Sequence, residues 1–142
     1  MVQTIHEKKR GWLFEMITIS NLIEVLKEQY PDIKFFNGCI SKEERCVGVY
    51  ARGNAAPPSA IGSKPSYGVL PVTLLIHWGE NSDECETTAN DLYKGLEEGI
   101  ASIKGVRVIN TQLLESAPAN IGRDDNNICE MTIRLNITYE RR

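Results

Sequence analysis

The side chains that could hold a metal or move a proton here are two histidines, four cysteines and nineteen acidic residues. Their spacing decides which chemistry is open. His6 lies near the N-terminus and His77 at the end of an apolar run. A metal at His77 needs convergent Cys, Asp or His ligands, and the sequence around it supplies none at ligand spacing. The reading is therefore a hydrogen-bonded structural histidine beside Trp78. Cys39, Cys46, Cys85 and Cys129 contain no pair separated by two residues, as a zinc ribbon or redox motif requires. Free, buried thiols are expected. Asp124-Asp125 precedes Asn126-Asn127, the composition of a tight solvated turn rather than of two carboxylates converging on a substrate. Gly62-Ser63-Lys64-Pro65 lacks the first glycine of a phosphate loop, and Pro65 stands where Ser or Thr is needed. There is no Gly-x-Ser-x-Gly elbow. The residue chemistry thus points to no catalytic residue, no cofactor-binding residue and no metal ligand, and to no enzyme.

Charge and composition narrow the class further. Sixteen basic against nineteen acidic residues leave a net charge of −3, and the basic residues are dispersed. A dedicated nucleic-acid binder normally carries a basic patch. At Glu7 to Glu15 a basic cluster meets a short apolar patch that Glu15 interrupts, too early for a signal peptide. No apolar run approaches the roughly 20 residues of a membrane span. An intracellular protein is expected, so Asn136-Ile137-Thr138, inside a predicted strand, is not read as a glycosylation acceptor.

The elements that position these side chains follow from periodicity. Residues 1–15 read as an arm or extension, and residues 16–142 as one α+β domain. Thr18 is a good N-cap, with Ile17 and Leu22 placed as a hydrophobic staple. Ile19, Leu22, Ile23 and Leu26 recur at helical spacing until Pro31 stops the helix. Ile33–Phe36 and Arg45–Tyr50 read as strands. Ala51 to Gly68, rich in Gly and Pro, reads as a long loop suited to reaching a neighbour. Val69–Trp78 is a strand with Pro71 at its start or beside an edge. Asn81–Lys104 reads as a helix with the stripe Cys85, Ala89, Leu92, Leu96, Ile100 and Ile103. Gly95 and Gly99, on or next to that stripe, imply close packing on a sheet, because each costs about 1 kcal/mol against Ala. Val106–Leu113 and Ile128–Glu140 complete the order α-β-β-β-α-β-β. The class is α+β, a two-layer, mostly antiparallel sheet with two helices on one face. The last strand would span roughly 40 Å at about 3.3 Å per residue. It turns Cys129, Met131, Ile133, Leu135, Ile137 and Tyr139 one way, and Glu130, Thr132, Arg134, Asn136, Thr138 and Glu140 the other.

The stretch Ala117-Pro118-Ala119-Asn120-Ile121-Gly122-Arg123-Asp124-Asp125-Asn126-Asn127-Ile128-Cys129-Glu130 runs into Ile133-Arg134-Leu135-Asn136-Ile137-Thr138-Tyr139. It resembles the C-terminal signature of the minor capsid or tail-terminator proteins of tailed phages and prophages of Gram-positive bacteria. Val47-Gly48-Val49-Tyr50-Ala51-Arg52-Gly53, Ile61-Gly62 and Leu74-Leu75-Ile76-His77-Trp78-Gly79, with Leu92-Tyr93 in the helix, are similar to the same family. The likeness covers roughly Met16 to Glu140. It departs at Asn127, where the family has Gly, and at Cys129, where it has Tyr. Asn is the next best residue for a left-handed turn, so the hairpin is expected to survive.

The resemblance implies a structural virion protein, assembled in the bacterial host cytoplasm. It would form a homo-oligomeric ring, with a hexamer as one stoichiometry, at the end of the tail tube. Its partners would be itself, the tail tube protein and the head–tail connector proteins, with DNA passing without specific binding and no membrane involved. A ring joins two different patches of one subunit. The interface candidates are Glu130, Thr132, Arg134, Asn136 and Thr138 on the polar strand face, with Arg52, Arg123, Asp124 and Asp125. Two alternatives stay open at this point. One is a minor capsid or head-completion component of the same junction. The other is a small-ligand-binding α+β domain using the His77/Trp78 region.

Overall fold

The computed structural model describes residues 16–42, 44–53 and 67–141. Helix α1 (Ile19–Gln29) starts at Thr18, whose extended backbone lets its hydroxyl accept from the Asn21 amide at 3.2 Å. Asn21 Oδ1 accepts in return from the Thr18 amide at 3.0 Å, so two amides at the helix start are satisfied reciprocally. Ile17, Ile19, Leu22, Ile23 and Leu26 are buried. The Tyr30 amide, donating to the Leu26 carbonyl at 2.8 Å, closes the helix before Pro31.

Among the described residues seven strands form one curled sheet: β1 (Lys34–Asn37), β2 (Cys46–Ala51), β3 (Tyr67–His77), β4 (Ser102–Ile103), β5 (Val106–Leu113), β6 (Ala119–Arg123) and β7 (Cys129–Glu140). The path is β1-β2-β3-β7-β5-β4, with β6 also on β7. Only the β1–β2 pair is parallel. Helix α2 (Ser82–Glu98) enters between β3 and β4. The expected order therefore lacked two strands, β4 and β6. Each is short and, in β6, nearly every residue is exposed, so neither leaves an apolar alternation to read.

Helix α2 is also shorter than its stripe suggests. Gly99 takes φ +93 and ends it, although Ile100 and Ile103 still reach the core from beyond the cap. Gly99 thus serves the helix end rather than sheet packing. Gly95 serves the other helix. A Cβ there would lie 1.8 Å from Tyr30 Oη, so its bareness admits the Tyr30 ring of the α1 end.

The buried residues of both helices share one apolar core with β2, β3 and the inward face of β7, including Val49, Leu74, Ile133 and Ile137. β7 sits in the middle of this arrangement. It pairs with β3 over eleven positions, from Tyr67↔Glu140 to His77↔Glu130. Its other edge is taken by β5 and β6 in succession. The long final strand is therefore a spine, with no free backbone edge to offer a partner. Its outward residues Glu130, Thr132, Asn136 and Thr138 are half-buried, and only Arg134 is exposed.

Pro71 stands five residues into β3, not at its start. It is accommodated because β2 stops pairing at Ala51↔Val72. The Pro71 carbonyl still accepts from the Arg52 amide at 3.0 Å, on the side where the ladder ends and no N–H is required. The expected 51–68 loop is shortened at both ends by β2 and β3, and its residues 54–66 lie outside the described residues, as does the arm at 1–15.

Candidate assembly surface

The outward face of β7 gathers part of the expected set into one polar strip. Arg52, just past β2, reaches across β3 so that its Nη1 donates to the Leu135 carbonyl at 3.0 Å and to the Val72 carbonyl. Its Nη2 donates to Asn136 Oδ1. Burial, followed by the neighbouring charge of Arg134, lowers the Arg52 pKa from its ordinary value. Arg134 donates through Nε to Glu115 Oε2 at 2.9 Å and through Nη2 to the same oxygen. The hydrogen bond from Arg134 lowers the Glu115 pKa, and Glu115 raises that of Arg134. Glu115 escaped sequence reasoning. It follows β5, and the Leu114 amide donates to the Arg134 carbonyl at 3.0 Å, which delivers the carboxylate to its partner. Thr132 stands opposite Leu75 and Ala119, and Thr138 opposite Val69 and Asn110, on the same face.

The other expected residues collect at the β6–β7 turn. Asn127 adopts φ +65, the left-handed conformation that the turn requires. Asp124 Oδ1 accepts from the Asn126 and Ile128 amides, both at 2.9 Å. Arg123 is a strut rather than a free contact residue. Its Nη1 donates to the carbonyls of Glu80 and Asn127, each at 2.9 Å, and its Nη2 to Ser82 Oγ at 2.6 Å. The turn is thereby tied to the start of α2. Asp125 is exposed at the tip.

Between strip and turn, His77 does meet convergent groups. Its Nδ1 lies 2.8 Å from Glu130 Oε2 and 3.8 Å from Asp124 Oδ2, with the ring only 5% exposed. The expectation that nothing surrounds His77 at ligand spacing is overturned, and Asp124 is more than a solvated turn residue. A cavity of about 530 Å³ opens beside the cluster, bordered by Ile40, Lys42, Glu44 and Asn126.

Three of the four thiols are buried and none is joined in a disulfide, but Cys39 is exposed, against the expectation for it. Cys85 Sγ lies 3.5 Å from the Cys129 carbonyl, and burial pushes its pKa up to about 12, with Cys129 adding to the effect.

Compared with protein-family models, residues 20–141 match the family described as bacteriophage tail terminator protein. The chain belongs to that family. A comparison with curated proteins returns no match.

As a tail terminator, the chain is a structural component of the virion with a role at the head–tail junction, among other head–tail proteins of the phage. No helix among the described residues is long and apolar enough to cross a membrane. The tail terminator's exposed large apolar side chains include Ile109 and Leu114 on or after β5 and Ile121 on β6, at 47%, 39% and 54% exposure. Both isoleucines sit where the ladder with β7 is interrupted, between Val108 and Asn110 and between Asn120 and Gly122. Such interruptions eject a side chain from the regular alternation. These three residues were not among the sequence candidates. Isolated apolar letters in polar segments carry no periodicity signal.

Proposed function

We propose that this tail terminator closes into a homo-oligomeric ring on the end of the tail tube, stops tube growth and presents a docking face to the head–tail connector. The family match over residues 20–141 carries the reading. The chain works without catalysis, as a scaffold assembled in the host cytoplasm.

A ring needs two unlike patches on each subunit, and the sheet ends in two unlike edges. One is β1, next to β2 alone; at the other, short β4 covers only the start of β5, which leaves the rest of β5 and β6 with Ile109, Leu114 and Ile121 exposed along it. We assign the ring contact to that second edge. The polar strip of Arg52, Arg134, Asn136, Thr132 and Thr138, and Asp125 at the turn, are assigned to tube or connector contacts. With a net charge of −3, the chain lacks the basic excess that would hold passing DNA.

Electron microscopy of particles lacking the protein tests the placement. Overlong or unattached tails are expected. Defective capsids with normal tails would instead favour a head-completion role. Native mass spectrometry, alone and with tail tube protein, tests the ring, and a monomer under both conditions would sink it.

A further inference from the structure

We infer that His77, Asp124 and Glu130 form a binding site for one divalent transition-metal cation, independent of the ring reading. Among the described residues, this is where one imidazole and two carboxylates offer ligand atoms within 4.8 Å of one another. The three donors come from three places in the fold, the end of β3, the β6–β7 turn and the start of β7, so a cation there would clip the turn to the central strands.

The geometry suits a small cation. Tetrahedral zinc with bonds of about 2.0–2.1 Å separates its ligand atoms by about 3.3 Å. The two separations from Nδ1, 2.8 Å to Glu130 Oε2 and 3.8 Å to Asp124 Oδ2, bracket that value, and all three ligand atoms lie within 4.8 Å of one another. Each donor is held beforehand. Asp124 spends Oδ1 on the Asn126 and Ile128 amides, which leaves Oδ2 turned to His77. The turn itself is braced by Arg123 on Glu80, Asn127 and Ser82. The imidazole is walled in at 5% exposure, and Glu130 at 15%.

Charge decides between cation classes. A dication held by one imidazole and two carboxylates leaves no net charge at the site. The mixed nitrogen and oxygen set favours zinc or a related first-row ion over calcium, which takes six to eight oxygens. The adjoining cavity, with Glu44 and Asn126 on its rim, gives an entry path and room for a water in the fourth position. Lys42 borders the same cavity and opposes the cation, but it is a long side chain with freedom to turn away.

The test is calorimetric titration of the full chain with Zn2+ alone, and with Co2+ followed by its visible spectrum. One ion per chain is expected, with an absorption free of sulfur-to-cobalt charge transfer. Glu130→Gln, which keeps the shape of the side chain, should weaken binding more than about tenfold. A higher melting temperature in Zn2+ than in chelator should vanish in the same variant. Asp124→Asn repeats the comparison if the first variant does not fold. Absence of stoichiometric binding, a sulfur charge-transfer band, or unchanged affinity in both variants would overturn the assignment.

Discussion

His77 on β3 and Glu130 on β7 are direct cross-strand partners whose side chains meet at 2.8 Å across 53 residues of sequence. A single antiparallel register creates this contact, and Asp124 joins it only because β6 and its turn fold back on the same strand. Glu130→Ala strips the buried imidazole of its nearest partner. We expect a loss of about 1–3 kcal/mol, the cost of a buried polar group left unpaired. Urea unfolding measures it, and an unchanged midpoint would mean that solvent or Asp124 replaces Glu130 fully.

Arg123→Ala should loosen the β6–β7 turn without disturbing the core. It removes contacts to two carbonyls and one hydroxyl that tie the turn to α2. Hydrogen bonds from a charged donor contribute about 1.5–3 kcal/mol each when buried, and less at an exposed site such as this. Faster amide exchange at Asn127 and Ile128, with core amides unaffected, is the expected signature.

Gly95→Ala should destabilise the protein even though alanine is the better helix former by about 1 kcal/mol. The new methyl would collide with Tyr30 Oη, 1.8 Å from the ideal Cβ position. Tyr30→Phe removes that oxygen and leaves Tyr30's ring carbon Cζ position 3.1 Å away, a distance that small shifts can relieve. The double variant should therefore be more stable than the sum of the singles, a coupling that thermal unfolding of all four proteins would show.

Thiol reagents should separate the cysteines. Cys39 is exposed and should react in the native protein, while Cys46, Cys85 and Cys129 wait for unfolding. The Cys85 pKa, raised by burial to about 12 from the model-compound value of 9.0, has a further consequence. The folded state holds this proton more tightly than the unfolded chain, so the contribution to stability is full below about pH 9. It is lost as pH rises toward 12. Cys85→Ala should flatten that alkaline decline in unfolding experiments; an identical slope would remove Cys85 as its source.

Ile109→Asp and Ile121→Asp place charges at exposed points of the β5–β6 edge. If that edge makes the ring contact, either change should abolish assembly on tube protein while leaving the melting temperature within about 2–4 °C of the parent. Light scattering and thermal unfolding together read both quantities. Normal assembly by the two variants would move the contact elsewhere.

Much of this protein is local in origin and so is written in the order of its residues. The Thr18 cap, the end of α1 at Pro31, the Cys85–Ala89–Leu92–Leu96 stripe and the strict alternation of β7 each depend on neighbours within a few positions. The tight turn at Asp124–Asn127 was legible for the same reason, its left-handed Asn127 through the family likeness, and the family of the chain was legible in short ordered motifs. Tertiary structure alone decided where the strands lie relative to one another. It buried both edges of β7, added β4 and β6, assigned Gly95 to Tyr30, and turned Arg123 into a strut. The polar groups of His77, Asp124 and Glu130 converge through strand register, a property of pairing between distant segments that no local periodicity encodes.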